Sequence, residues 1–131
     1  EGRHGVRNVV ELGLPMPLTG GASAIALLSG DPTLIDKLAE EDPTLDADAL
    51  RARASRAAED GFATSAGERE VGAASVAVPV RNHEGRVVAA LSVSGPESRF
   101  NDAARERARI SLTAAADHLS TTGIGPIGGL L

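Results

Sequence analysis

AASVAVPVRNHEGRVVAALSVS, residues Ala73 to Ser94, decides the fold. Two runs rich in small and β-branched side chains, Ala73–Arg81 and Arg86–Ser94, flank the turn signal NHEG and read as a β-hairpin. Side chains alternate across a strand. Val76, Val78 and Val80 therefore make one row of the first segment, and Val87, Ala89, Leu91 and Val93 one row of the second. Those rows belong on the core side. The opposite rows are Ala73, Ser75, Ala77, Pro79 and Val88, Ala90, Ser92, Ser94. Matching apolar row to apolar row fixes the parity of the pairing, because a slip of one residue exchanges the faces. Arg81 opposite Arg86 satisfies it and sets Ser75 opposite Ser92. His83 opposite Arg86, across a Glu84-Gly85 turn, also satisfies it and sets Ser75 opposite Ser94. A three-residue loop with a bulge at Gly85 would break the match.

Outward from the hairpin, residues 6–12 (VRNVVEL) read as a strand, and LPMPLTGG excludes regular structure up to about Gly21. Ala22–Ser29 reads as a short helix ended by Gly30. A second starts with Asp31 as N-cap and Pro32 at the first helical position, burying Leu34, Ile35 and Leu38. A third runs from Asp46 to Asp60 with Leu50, Ala54, Ala57 and Ala58 as its apolar stripe, stopped by Gly61. The last begins at Asn101, with Ala104, Ala108, Leu112, Ala115 and Leu119 at helical spacing. The expected fold is α+β, an antiparallel sheet flanked by helices, over residues 1–122. Residues 123–131 read as a loosely held Gly-rich tail. One strand and one hairpin make a thin sheet for these helices, and part of the domain is expected to lie before residue 1.

Composition narrows the function. The chain has 131 residues, enough for one modest core, with two Phe and no Trp, Tyr or Cys. Disulfides, thiolate chemistry and cysteine-based zinc sites are excluded. A formal net charge of −5 makes the chain a poor partner for nucleic acid, whose binding draws on Lys and Arg. Arg51, Arg53 and Arg56 are followed at once by Glu59 and Asp60 and read as a solvated helix face. Neither a signal segment nor a membrane-length apolar run is visible, which makes a cytoplasmic location the expectation.

No sharper chemistry survives inspection. Gly123-Ile-Gly125-Pro-Ile-Gly128 has the form GxGxxG, but a dinucleotide fingerprint needs a strand before it and a helix after it. His4, His83 and His118 lack metal-ligand spacing. There is no GxSxG elbow and no nucleophile–base pair. The expectation is no enzyme, no cofactor and no metal.

The serine row is more suggestive. Solvent-facing strands usually carry long polar side chains, whereas Ser75, Ser92 and Ser94 lie among residues no bigger than Val. Hydroxyls both donate and accept, which suits a small carboxylate or carbonyl against them. Thr19-Gly20-Gly21 ahead of a helix adds amides that attract anions, or simply the φ freedom of a helix entry.

Two blocks carry a family resemblance. GLPMPLTGGASA (Gly13–Ala24) and GFATSAGEREVGAASVAVPVRNHEGRVVAALSVSGPESR (Gly61–Arg99) resemble, in order and spacing, the best-marked stretches of the effector-binding half of IclR-type transcriptional regulators. The resemblance implies a GAF-like fold and a bacterial small-molecule sensor. It implies operator DNA as a partner only through an N-terminal winged helix-turn-helix domain outside this chain, a homodimer or homotetramer, and no membrane. It also implies a pocket over the sheet for a small carboxylate-like effector, held by Gly20, Gly21, Ser65, Ser75, Ser92 and Ser94. Ser65 rests on the resemblance alone and stands where relatives place an acidic residue. The competing expectation is a GAF-like dimerisation or structural module without a working pocket.

Overall fold

The computed structural model describes the backbone of residues 7–11, together with residues 21–67 and 71–122. In chain order these form β1 (Arg7–Glu11), α1 (Ala22–Leu28), α2 (Thr33–Glu41), α3 (Ala47–Asp60), β2 (Ala63–Ala66), β3 (Ala73–Arg81), β4 (Val87–Pro96), a 3-10 turn (Glu97–Arg99) and α4 (Asp102–Thr122). The fold is α+β, as the sequence predicts. All strand pairs are antiparallel, in the order β1-β4-β3-β2.

Local chemistry sets the helix ends. The Asp46 carboxylate accepts the Ala49 amide at 3.0 Å and caps α3. Gly61, at φ 84°, closes it in the left-handed region. Asn101 caps α4 in the same way, accepting from the Ala104 amide at 2.8 Å. The second helix starts at Thr33 with Pro32 as its N-cap, the Pro32 carbonyl accepting from the Ile35 amide at 3.0 Å; the Asp31 carboxylate, expected to be the cap, instead accepts the Thr33 hydroxyl and caps no helix amide.

β3 and β4 sort the core. Their register is Ser75↔Ser94, Val76↔Val93, Ala77↔Ser92 and Val78↔Leu91, the second of the two pairings compatible with the hydrophobic pattern. The turn is nonetheless the three-residue loop that should spoil it. The Asn82 amide donates to the Arg86 carbonyl at 2.9 Å, the Gly85 amide donates to the Asn82 carbonyl at 3.0 Å, and Gly85 has φ 82°. A β-bulge restores the match. Arg81 pairs with Val87 and Val80 with Ala89, leaving Val88 unpaired on β4. The bulge also corrects the row assignment at this end. Val88 packs with the Val76–Leu91 side, whereas Val87 approaches Gly30 on the other.

Both faces of the sheet are covered. On one, Val76, Val78, Val80, Ala89, Leu91 and Val93 pack with Phe100 and with Leu112 and Ala116 of α4. On the other, Ala63, Ala77 and Ala90 pack with Ala22, Ile25, Ala26 and Leu28 of α1, and α2 and α3 add Ile35, Leu50, Ala54 and Ala57. Ala side chains let α1 approach the sheet closely, the consequence of a core with almost no aromatic rings. Two stripe residues are corrected here: Ala58 and Ala115 are exposed, and on α4 Ala116 takes the buried place next to Leu112. β2 was absent from the sequence expectation. Its run ATSA carries no apolar alternation, and it forms because it pairs with β3 from Ala63↔Ala77 to Ala66↔Ala74.

Gly30 packs tightly against the Val87 side chain: an added Cβ would lie 2.3 Å from Val87 Cγ2 and 2.5 Å from Val87 Cβ. Gly30→Ala should therefore destabilise the fold by about 1–3 kcal/mol, the usual cost of overpacking. Thermal unfolding of the variant checks this; an unchanged midpoint would show that the bulge is free to move away.

Candidate functional site: the serine row

Residues that pair directly across a sheet share a face. Ser65↔Ser75 and Ser75↔Ser94 therefore define one line across β2, β3 and β4. The next line on that face runs Ala63↔Ala77↔Ser92. Four of the six residues singled out from sequence thus come together, and Ser65, chosen on resemblance alone, joins the line through β2. This is the face α1 covers.

The hydroxyls differ in environment. Ser65 and Ser75 share an Oγ–Oγ hydrogen bond of 2.8 Å, half-buried. Ser94 is half-buried as well. Ser92 is only 4% exposed, and among the described residues its hydroxyl makes no hydrogen bond. Leaving a buried hydroxyl without a partner costs about 1–3 kcal/mol, so such groups usually have a reason to be there. Ser23, in the first turn of α1, is the other buried polar side chain among the described residues, at 5%. No pattern in the sequence distinguishes it from a surface serine.

At the entry to α1, Gly21 has φ 87° and ψ 155°, a conformation that essentially only glycine adopts, and its carbonyl accepts from the Ile25 amide at 3.2 Å. Flexible φ is thus a requirement at this position. Gly20 lies outside the described residues, as does the GxGxxG of the tail.

A cleft of about 180 Å³ adjoins this face at the sheet edge, lined chiefly by Arg53, Arg56 and Asp60 of α3 with Phe62 and Thr64. The arginines read as a solvated face are more varied than that. Arg53 ties α3 to β2 by donating to the Thr64 carbonyl at 3.1 Å, and Arg51 bridges Asp36 at 2.7 Å and Asp48 at 2.9 Å. The Arg109 guanidinium stands 5.8 Å over the Phe62 ring. It also holds the Glu106 carboxyl below the usual carboxylate range through their hydrogen bond. Among the described residues no three His, Asp or Glu side chains gather as a metal site, and no helix is long and apolar enough to cross a membrane.

The family model "Bacterial transcriptional regulator IclR C-terminal" matches residues 1–121. The chain belongs to this IclR family. It is 44% identical over 73 residues to the HTH-type transcriptional regulator XynR of Escherichia coli K12; the match covers 56% of this chain and 29% of XynR. An IclR-family protein from Rhodococcus sp. superposes with a TM-score of 0.73 at 39% identity, over 86% of this chain and 46% of that one. The C-terminal domain of the E. coli transcriptional regulator KdgR gives 0.71 at 28% identity, over 80% and 70%. The chain thus spans less than half of the full-length IclR relatives and about two thirds of a KdgR C-terminal domain. Relatives and family alike are transcriptional regulators.

Within this IclR-type sheet, the Ser65–Ser75 bond offers a direct check of the row. Ser75→Ala leaves the Ser65 hydroxyl without its partner and should cost about 0.5–1.5 kcal/mol, whereas Ser65→Ala with Ser75→Ala removes both groups and should cost less than the sum of the single changes. Strictly additive unfolding energies would mean that the two hydroxyls do not interact.

Proposed function

We propose that this chain is the effector-sensing part of an IclR-type regulator and binds a small organic anion on the serine face beneath α1. One observation carries the reading. Ser65, Ser75 and Ser94 stand in register on three neighbouring strands, with the buried, unpartnered Ser92 hydroxyl in the adjacent line of the same face. Hydroxyls that donate and accept can bind a carboxylate without committing a fixed charge there. The α1 entry at Gly21 borders the same layer and is the proposed position for the carboxylate, together with Gly20. Effector binding would be read out as DNA binding by a winged helix-turn-helix domain elsewhere in the protein, since a chain of net charge −5 has little to offer phosphates. On this reading the protein acts in the cytoplasm.

The burial of Ser92 supports a second reading as well. α1 packs over the face with Ala22, Ile25, Ala26 and Leu28, so the layer could serve packing alone, in a structural or dimerisation module.

A thermal-shift panel of small carboxylic acids separates the two. A true effector at 100 times its dissociation constant adds about 2.7 kcal/mol of stability. Ser92→Ala should weaken that effector about ten- to a hundredfold, the loss of one hydrogen bond to a charged acceptor, while the unliganded domain melts near the parent temperature. Should Ser92→Ala melt far below the parent and bind the acid unchanged, Ser92 is a packing residue. If no acid moves the midpoint, the structural reading replaces this one.

A further inference from the structure

The serine hydroxyls around α1 divide into those with partners and those without. Ser29, at the end of α1, donates to the Ala26 carbonyl at 2.6 Å, and Ser65 and Ser75 bond to each other. Ser23 is only 5% exposed and Ser92 only 4%, and neither hydroxyl makes a hydrogen bond among the described residues. A buried hydroxyl without a partner is costly, and a group that accepts from it would remove the cost. Chain outside residues 1–131 can deepen such burial but cannot undo it.

Rotation along α1 places Ser23 relative to the sheet. Ala22 and Ala26 pack with the sheet alanines Ala77 and Ala90. With about 100° of turn per residue, Ile25 falls on one flank of the line through Ala22 and Ala26, and Ser23 on the other. Ile25 reaches the cleft between α3 and β2, lined also by Phe62 and Thr64. The Ser23 flank is therefore turned away from β2. α1 packs over β4 as well as β3 and β2, and in the order β1-β4-β3-β2 it is β4 that lies on the Ser23 side. β4 carries Ser92 and Ser94 on the face that α1 covers.

We infer that Ser23 is a further effector-binding residue, its hydroxyl donating from α1 to the carboxylate that Ser92 meets from β4. The assignment rests on the reading that a small organic anion occupies this layer. The two unpartnered hydroxyls stand on opposite walls of it, one on the helix and one on the sheet. A carboxylate offers two oxygens with about four lone-pair sites, enough for a donor from each wall. An apolar guest would leave both hydroxyls unsatisfied. A carboxylate held this way ties α1 to β4.

Ser23→Ala separates this role from packing. Alanine lacks only the oxygen and is the better helix former, so the variant should fold and melt at or above the parent temperature. Thermal shifts are measured with formate, acetate, propionate and benzoate at constant ionic strength, on the parent, Ser23→Ala and Ser29→Ala. For every acid that stabilises the parent, Ser23→Ala should raise the dissociation constant about tenfold or more, and by the same factor whichever the acid, because the carboxylate is the part they share. Ser29→Ala removes a hydroxyl that already has its partner on the same helix, and should keep the parent's affinities. Unchanged affinities in Ser23→Ala overturn the assignment and leave the anion reading in place. A loss that grows with the size of the acid does the same, since it marks a packing contact. If none of the four acids stabilises the parent, the anion reading itself fails, and this assignment with it.

Discussion

The pairing parity of β3 and β4 is the constraint on which the rest of the structure depends. With Val76 on Val93 and Val78 on Leu91, one face becomes a continuous apolar floor for α4, and the other becomes the row of Ala and Ser that α1 covers. A shift of one residue would set valines against serines and leave neither face a coherent surface. The turn does not enforce this parity. Left to itself, the three-residue loop closed by Asn82 and Gly85 propagates the wrong one, and the unpaired Val88 reverses it within two residues. Burial of two apolar faces outweighs the hydrogen bonding lost at one bulge.

This is why the body of the hairpin was legible in the sequence while its end was not. Alternation over Ala73–Val80 and Ala89–Ser94 is a long-range statement about two faces, and the fold honours it. Val87 and Val88 are both β-branched and both apolar, so nothing in their identity says which one faces which way; the bulge decides. β2 was invisible for a related reason. Ala-Thr-Ser-Ala has no periodic apolar signal, and its strand geometry comes from the β3 edge beside it. The ends of α3 and the start of α4 were legible because their signals are local: Asp46, Gly61 and Asn101 each act within three or four residues, whereas the Asp31 carboxylate binds the Thr33 hydroxyl and leaves the cap position of α2 to Pro32. Misplaced Ala58 and Ala115 show the limit of that reasoning. Ala gives no sharp preference for one face, and the larger Leu50 and Leu112 fix the helix rotation.

For the candidate site, the sequence showed which serines share a face but not how far each is buried. Burial is set by α1, whose close approach follows from the Ala side chains on both surfaces. Ser65 could be placed only by family resemblance, since a residue on an unrecognised strand has no register to read. Ser23 escaped altogether. The physical picture is of an Ala-lined layer between α1 and the sheet, with hydroxyls as its only polar groups from β3 and β4. Such a layer is well suited to a small polar guest and poorly suited to a large one.

The central claim, that a small organic anion binds in this layer, is tested most directly by methyl NMR on alanine-labelled protein titrated with an acid that raises its melting temperature. The labels already lie on both faces of the sheet: Ala63, Ala77 and Ala90 beside the serines, and Ala74, Ala89 and Ala116 on the α4 side. The account predicts saturable shifts for the first three, with the second three changing little. Shifts confined to the α4 side, or centred on Ala57 at the Arg53–Arg56 cleft with Ala77 and Ala90 unmoved, would contradict it.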